Sequence, residues 1–140
     1  MGKAILIVDD EASILTTLSG VLKDEGYDVF TASNGPEALK RIEEDTPSLV
    51  FLDIWMQDMD GIETLTRIKK SNPYLPVIMM SGHGTIETAV KATKLGAYDY
   101  IEKPLSLEKV TLLTQHALYQ KKLEEENISL KESIQNRYSL

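Results

Sequence analysis

Four short apolar runs alternate along the chain with segments of helical period. Ala4–Val8, Leu49–Leu52 and Val77–Met80 are continuous, without polar alternation, and Tyr98–Ile101 is the fourth. Such runs are what strands buried on both faces of a parallel sheet look like. Between the first run and Gly26, Ile14, Leu15, Leu18, Val21 and Leu22 repeat at the spacing of one helix face, and Gly26 supplies a stop. Asp28–Ala32 reads as a shorter second strand. Asn34 is a good N-cap with Glu37 three residues on and Pro36 in the first turn; Ala38, Leu39 and Ile42 form the buried stripe. Asp60-Gly61 opens a helix carrying Ile62, Leu65 and Ile68, which Asn72-Pro73 ends. Thr85 caps another, with Ile86, Ala89, Val90 and Thr93 expected inward and Gly96 as terminator. Ser106 caps the last helix, with Glu108 placed favourably in its first turn; Lys109 stands where a reciprocal capping box would need an acid.

Five strand–helix units in this order predict an α/β fold, a doubly wound (βα)5 three-layer sandwich of flavodoxin-like type. The parallel sheet has the order 2-1-3-4-5 and right-handed crossovers. The last helix is expected to extend beyond the sandwich. After Leu118 the chain turns into Gln120-Lys121-Lys122-Leu123-Glu124-Glu125-Glu126 and stays polar and helix-prone to the end. This divides the chain into a domain at residues 3–118 and a helical linker at 119–140. In the linker Leu123 and Leu130 take d positions, with Asn127 at a and Ile134 following. A polar a residue fixes register in a parallel two-stranded coil, so the linker reads as a dimerising element.

Composition narrows the function without supplying it. The chain has 140 residues, 42% hydrophobic and 26% charged, which suits one soluble domain with a substantial core. A net charge of −7 argues against gripping a nucleic-acid backbone or an anionic membrane. There is no cysteine, so disulfides and thiolate metal sites drop out. The apolar runs are far short of the ~20 residues of a membrane span, and no signal-peptide layout precedes the first strand, so a cytoplasmic location is expected.

The chemistry lies where the strands end. Asp9 and Asp10 follow the first strand, Asp53 the third, Ser81 the fourth and Glu102-Lys103-Pro104 the fifth. Ligands of open parallel sheets bind at these ends, so three carboxylates, a hydroxyl and an ammonium converge. Like charges at ~4 Å cost roughly 4 kcal/mol at an effective dielectric of ~20, and such a site raises a carboxylate pKa or binds a cation. Mg2+ suits it, being a hard ion that takes carboxylate, water and phosphate oxygens. Asp53 is then the nucleophile toward phosphorus, and Ser81 and Lys103 meet the phosphoryl oxygens. A cis Lys103–Pro104 bond would aim the lysine inward.

These residues carry a resemblance. Val8-Asp9-Asp10-Glu11, Asp53-Ile54-Trp55-Met56 with Asp60-Gly61, Ser81-Gly82-His83-Gly84 and Glu102-Lys103-Pro104 match a receiver domain of bacterial two-component response regulators in order and spacing. The chain is most similar to the receivers of sigma-54-dependent (NtrC/NtrX-type) activators, from about Lys3 to Leu118. The resemblance implies that Asp53 is phosphorylated from a sensor histidine kinase. It implies that Asp10, Asp53 and the main-chain carbonyl of Trp55 ligate Mg2+, with Asp9 acting through water. Ser81 and Lys103 would hold the phosphoryl group, with Ser81 and Tyr100 as the switch pair. The switch would be read on the face of the fourth helix, fifth strand and last helix, which together with the linker also offers a homodimer surface. It further implies an output domain in a longer chain, an activator carrying an ATPase and a helix-turn-helix domain. Two departures stand out: Gln57 replaces the family's Pro, and Leu105 the usual Phe.

Trp55 and His83 each lie two residues after a site residue and flank the path of a hydrolytic water. A bulky Trp55 is expected to slow loss of the phosphoryl group; an unchanged dephosphorylation rate in Trp55→Asn would contradict this. His116 is expected on the surface of the last helix. Three other functions fit less well. An aspartate-nucleophile phosphatase wants a second acid two residues after the nucleophile, where Trp55 stands. A flavodoxin-like FMN carrier wants a Gly- and hydroxyl-rich loop where Asp9-Asp10-Glu11 would repel phosphate. A phosphorylation-independent adaptor would usually have lost one of the acids, and none is missing.

Overall fold

The structure, a computed structural model, describes residues 3–55, 60–82 and 85–138, with the side chains of the last helix described as far as Asn127, Lys121 excepted. Its elements are β1 (Ala4–Val8), α1 (Ala12–Asp24), β2 (Asp28–Ala32), α2 (Gly35–Glu44), β3 (Leu49–Asp53), α3 (Gly61–Ser71), β4 (Val77–Ser81), α4 (Ile86–Lys94), β5 (Asp99–Glu102) and α5 (Leu107–Tyr138). The strands pair in parallel in the order β2-β1-β3-β4-β5. This is the predicted sandwich.

Strand alternation divides the apolar residues between two cores. Leu6, Val8, Val50, Leu52, Val77 and Met79 face α2, α3 and α4. Ile5, Ile7, Leu49, Phe51, Ile78 and Met80 face α1 and α5, which contribute Leu18, Leu22, Val110 and Ala117. Because both faces of the three inner strands are covered, every residue of β3 and β4 is buried.

The helix ends follow their predicted chemistry. The Asn34 side chain accepts from the Glu37 N–H at 2.8 Å, and Asp60 does the same for Glu63 at 2.7 Å. Thr85 accepts from the Thr88 N–H, Ser106 from that of Lys109. Gly26 and Gly96 end their helices with φ of 94° and 105°, a region that favours glycine. Strands β3, β4 and β5 each run one residue further than expected, so Asp53, Ser81 and Glu102 are their last residues.

One expectation is corrected. Helix α4 does not turn Ile86, Val90 and Thr93 inward: Ile86 is 85% exposed, Val90 46%, and Thr93 is also exposed. Its fully buried residue is Ala92, which packs with Ala97 in the core, flanked by Leu95. A methyl group lets the helix lie close to the sheet, and that orientation leaves its larger apolar side chains in solvent.

Helix α5 continues without a break through Leu118 to Tyr138, as expected. Leu112, Tyr119 and Leu123 are exposed along it, and so is His116. The side chains of Leu130 and Ile134 lie outside the described residues, as do His83 and Gln57. Among the described residues no helix is long and apolar enough to cross a membrane.

Candidate functional site

Strand β1 leads into α1 on one face of the sheet, while its neighbour β3, the central strand, leads to α3 in the opposite layer. The crevice at the switch point therefore opens between the carboxyl ends of β1 and β3. Asp9 follows β1 directly, tied by its own N–H to the Ala32 carbonyl at 3.1 Å. Asp53 ends β3 and is 3% exposed; Asp9 is fully buried, whereas Asp10 is exposed. The carboxylates of Asp9, Asp10 and Asp53 each offer an oxygen within 4.8 Å of the others.

Lys103 comes to this cluster from the far side. Its backbone N–H donates to the Ser81 carbonyl at 2.8 Å, continuing the β4–β5 ladder by one bond. The Lys103–Pro104 peptide is cis. The ammonium lies 2.8 Å from Asp9 Oδ2, 3.3 Å from Glu11 Oε1 and 3.6 Å from Asp53 Oδ2. Burial works against this ammonium, but its pairing with Asp9 and the charge of Asp53 outweigh that and hold its pKa above the ordinary value. Burial acts on Asp53 in the opposite sense. Desolvation first, then the negative charge of Asp9, push its carboxyl up from 3.8 to about 6; Lys103 and the Trp55 N–H, which donates to Oδ1 at 3.3 Å, restrain the rise.

The donor set fits a hard divalent cation. All the candidate ligands are oxygens, and the three carboxylates of Asp9, Asp10 and Asp53, with that of Glu11 beside them, share one part-buried ammonium. Asp9 Oδ2 is buried and meets the Lys103 charge without an aligned hydrogen-bond donor, so it retains accepting capacity toward the crevice.

The loop after β3 is closed by a close approach. The Gly61 N–H donates to the Ile54 carbonyl at 2.7 Å, and a Cβ on Gly61 would overlap the Asp53 carbonyl and the Ile54 backbone. Only glycine lets α3 start so near the strand that presents Asp53. Ser81 is fully buried at the end of β4. The Tyr100 hydroxyl is buried and finds no hydrogen-bond partner among the described residues. Trp55 is 54% exposed, immediately outside the site.

A family model for the response regulator receiver domain matches residues 5–115. The chain belongs to that family. The receiver is 49% identical over 138 residues to a putative NtrX-like response regulator of Rickettsia bellii, covering 97% of this chain and 29% of that protein. It superposes on NtrX from Brucella abortus, solved in complex with ADP, with a TM-score of 0.88 and 48% identity over 93% of this chain and 30% of that one. The beryllofluoride-activated NtrC4 receiver domain dimer gives a TM-score of 0.81 at 44% identity, covering 84% of this chain and 98% of that one. The receiver thus spans under a third of the length of the NtrX relatives.

The predicted site residues Asp9, Asp10, Asp53 and Lys103 come together, and Ser81 ends the strand beside Asp53. Glu11, a member of the Val8-Asp9-Asp10-Glu11 motif with no role assigned by it, also reaches Lys103 with its carboxylate. The two are 92 residues apart, and no local spacing signals the contact.

Proposed function

We propose that this receiver is a phosphorylation-controlled switch in which Asp53 accepts a phosphoryl group from a sensor histidine kinase. The observation that carries the reading is the buried Asp53 carboxylate facing Lys103 across a crevice that also holds Asp9 and Asp10. An Asp53 oxygen bonds phosphorus as the donor's nitrogen or acyl oxygen departs with its electron pair. The ammonium of Lys103 offsets charge on the transferred oxygens, and the Ser81 hydroxyl donates to one of them. Asp10, Asp53 and the Trp55 main-chain carbonyl would hold Mg2+, with Asp9 acting through water. Bound there, the ion neutralises phosphoryl charge.

The surface that reports the switch is the α4–β5–α5 face. Ile86 and Val90 of α4 and Tyr98, just before β5, are its exposed large apolar residues. A second receiver is the partner this face suits, in keeping with the dimeric NtrC4 receiver. Phosphorylation draws Ser81 toward the phosphate and turns Tyr100, shifting a pre-existing equilibrium. Through residues 119–140 the change passes to an output domain in a longer sigma-54-type activator, and the whole acts in the cytoplasm. The relatives' length and the unbroken α5 support that organisation.

Borohydride reduction followed by peptide mapping tests the assignment of the acceptor. After incubation with acetyl phosphate and Mg2+, the reduced residue is expected at position 53; reduction at Asp9 or Asp10 instead would overturn it.

A further inference from the structure

Glu11 is the N-cap residue of α1, with extended backbone (φ −91°, ψ 114°), yet its carboxylate makes no capping bond to the helix. It turns instead to Lys103, at 3.3 Å. The Glu11 N–H meanwhile donates to Asp9 Oδ1 at 2.9 Å, so one residue steadies Asp9 with its backbone and Lys103 with its side chain. The two nearest anions to the ammonium, Asp9 and Glu11, both sit on the β1–α1 connection. Asp53, on β3, is the most distant of the three.

Resting on the switch reading above, we propose that Glu11 is a positioning residue that draws Lys103 toward β1 and away from the phosphoryl-accepting oxygen of Asp53. An anion on Asp53 must recruit the ammonium, and the bond it displaces is the weaker one. The Glu11 side chain is 56% exposed, against full burial of Asp9, so water and salt weaken its hold. Asp9 keeps its contact while Glu11 gives way. Glu11 therefore sets a threshold: it lowers the affinity of the site for any phosphoryl-like anion without touching that anion.

The test uses Mg2+ with beryllofluoride as the phosphoryl analogue, titrated by calorimetry and by the fluorescence of Trp55, the single tryptophan. Glu11→Gln is expected to bind the analogue about two- to fivefold tighter than wild type, the range an exposed ion pair supports. The advantage shrinks at high salt. Glu11→Asp keeps the charge but is one methylene too short to hold Lys103, so it too is expected to bind tighter. Equal affinity in Glu11→Gln and wild type overturns the proposal. So does wild-type affinity in Glu11→Asp, because general charge repulsion would then be the whole effect. If the wild type itself fails to bind the analogue, the switch reading fails, and the role of Glu11 fails with it.

Discussion

Lys103 Nζ stands 2.8 Å from Asp9 Oδ2 and 3.6 Å from Asp53 Oδ2, so the lysine leans on Asp9 rather than on Asp53, the proposed acceptor. Asp53 is left buried, beside the Asp9 charge, with only part of a cation to itself. The folded protein holds an under-compensated carboxylate where the proposed phosphoryl transfer needs a reactive one.

That arrangement makes Asp53 a cost to the fold. Its folded pKa of about 6 exceeds its ordinary 3.8, so the native state binds more protons than the unfolded chain between those values. Stability from this group is highest below about pH 4, falls as pH rises, and the full penalty is present above about 6. The rise corresponds to about 3 kcal/mol as an upper bound. Asp53→Asn, without divalent ions at pH 7.5, should gain about 1–3 kcal/mol in urea unfolding. The gain should shrink at pH 4.5, and a loss of stability at pH 7.5 would contradict the account.

Mg2+ should stabilise the wild type by mass action, raising Tm with concentration. Because the ion needs Asp53 ionised, the rise should fade as pH drops below about 6. Asp10→Asn should reduce it at neutral pH. A Mg2+-dependent Tm that is the same in Asp10→Asn as in the wild type would remove Asp10 from the ligand set.

Gly61 is the tightest backbone approach near the site. Gly61→Ala must move the start of α3 away from Asp53 and Ile54, with a loss of about 1–3 kcal/mol or more, the range of core overpacking with backbone shifts. Chemical denaturation checks this, and a change within about 0.5 kcal/mol would show that the loop has another way to close.

Helix α4 supplies a contrast between its two faces. Ile86→Ser and Val90→Ser, both on the exposed side, should leave monomer stability within about 0.5 kcal/mol. Ala92→Leu, on the buried side, should cost about 1–3 kcal/mol. With Mg2+ and beryllofluoride present, the two serine variants should associate less than wild type in sedimentation velocity. Unchanged association would move the dimer surface elsewhere.

The misreading of α4 shows where the sequence stops being legible. Apolar residues at helical spacing mark a stripe, but spacing does not say whether that stripe meets the protein's own sheet or a partner. Ile86 and Val90 look like core, yet the buried contact goes through the methyl of Ala92. The strands posed no such ambiguity, because runs such as Leu49–Leu52 are buried on both faces and have no outward side to misassign. The site was readable for a related reason: parallel topology brings Asp9, Asp53, Ser81 and Lys103 to one edge once the strands are located. The Glu11–Lys103 bond depends on which way two long side chains turn, and nothing near either residue encodes that.

The central claim is that Asp53 is the phosphoryl acceptor. Intact-mass measurement after incubation with acetyl phosphate and Mg2+ tests it most directly, comparing wild type with Asp53→Asn. The account predicts the gain of one phosphoryl group on the wild type and none on the variant. No gain on the wild type, or an equal gain on Asp53→Asn, would contradict it.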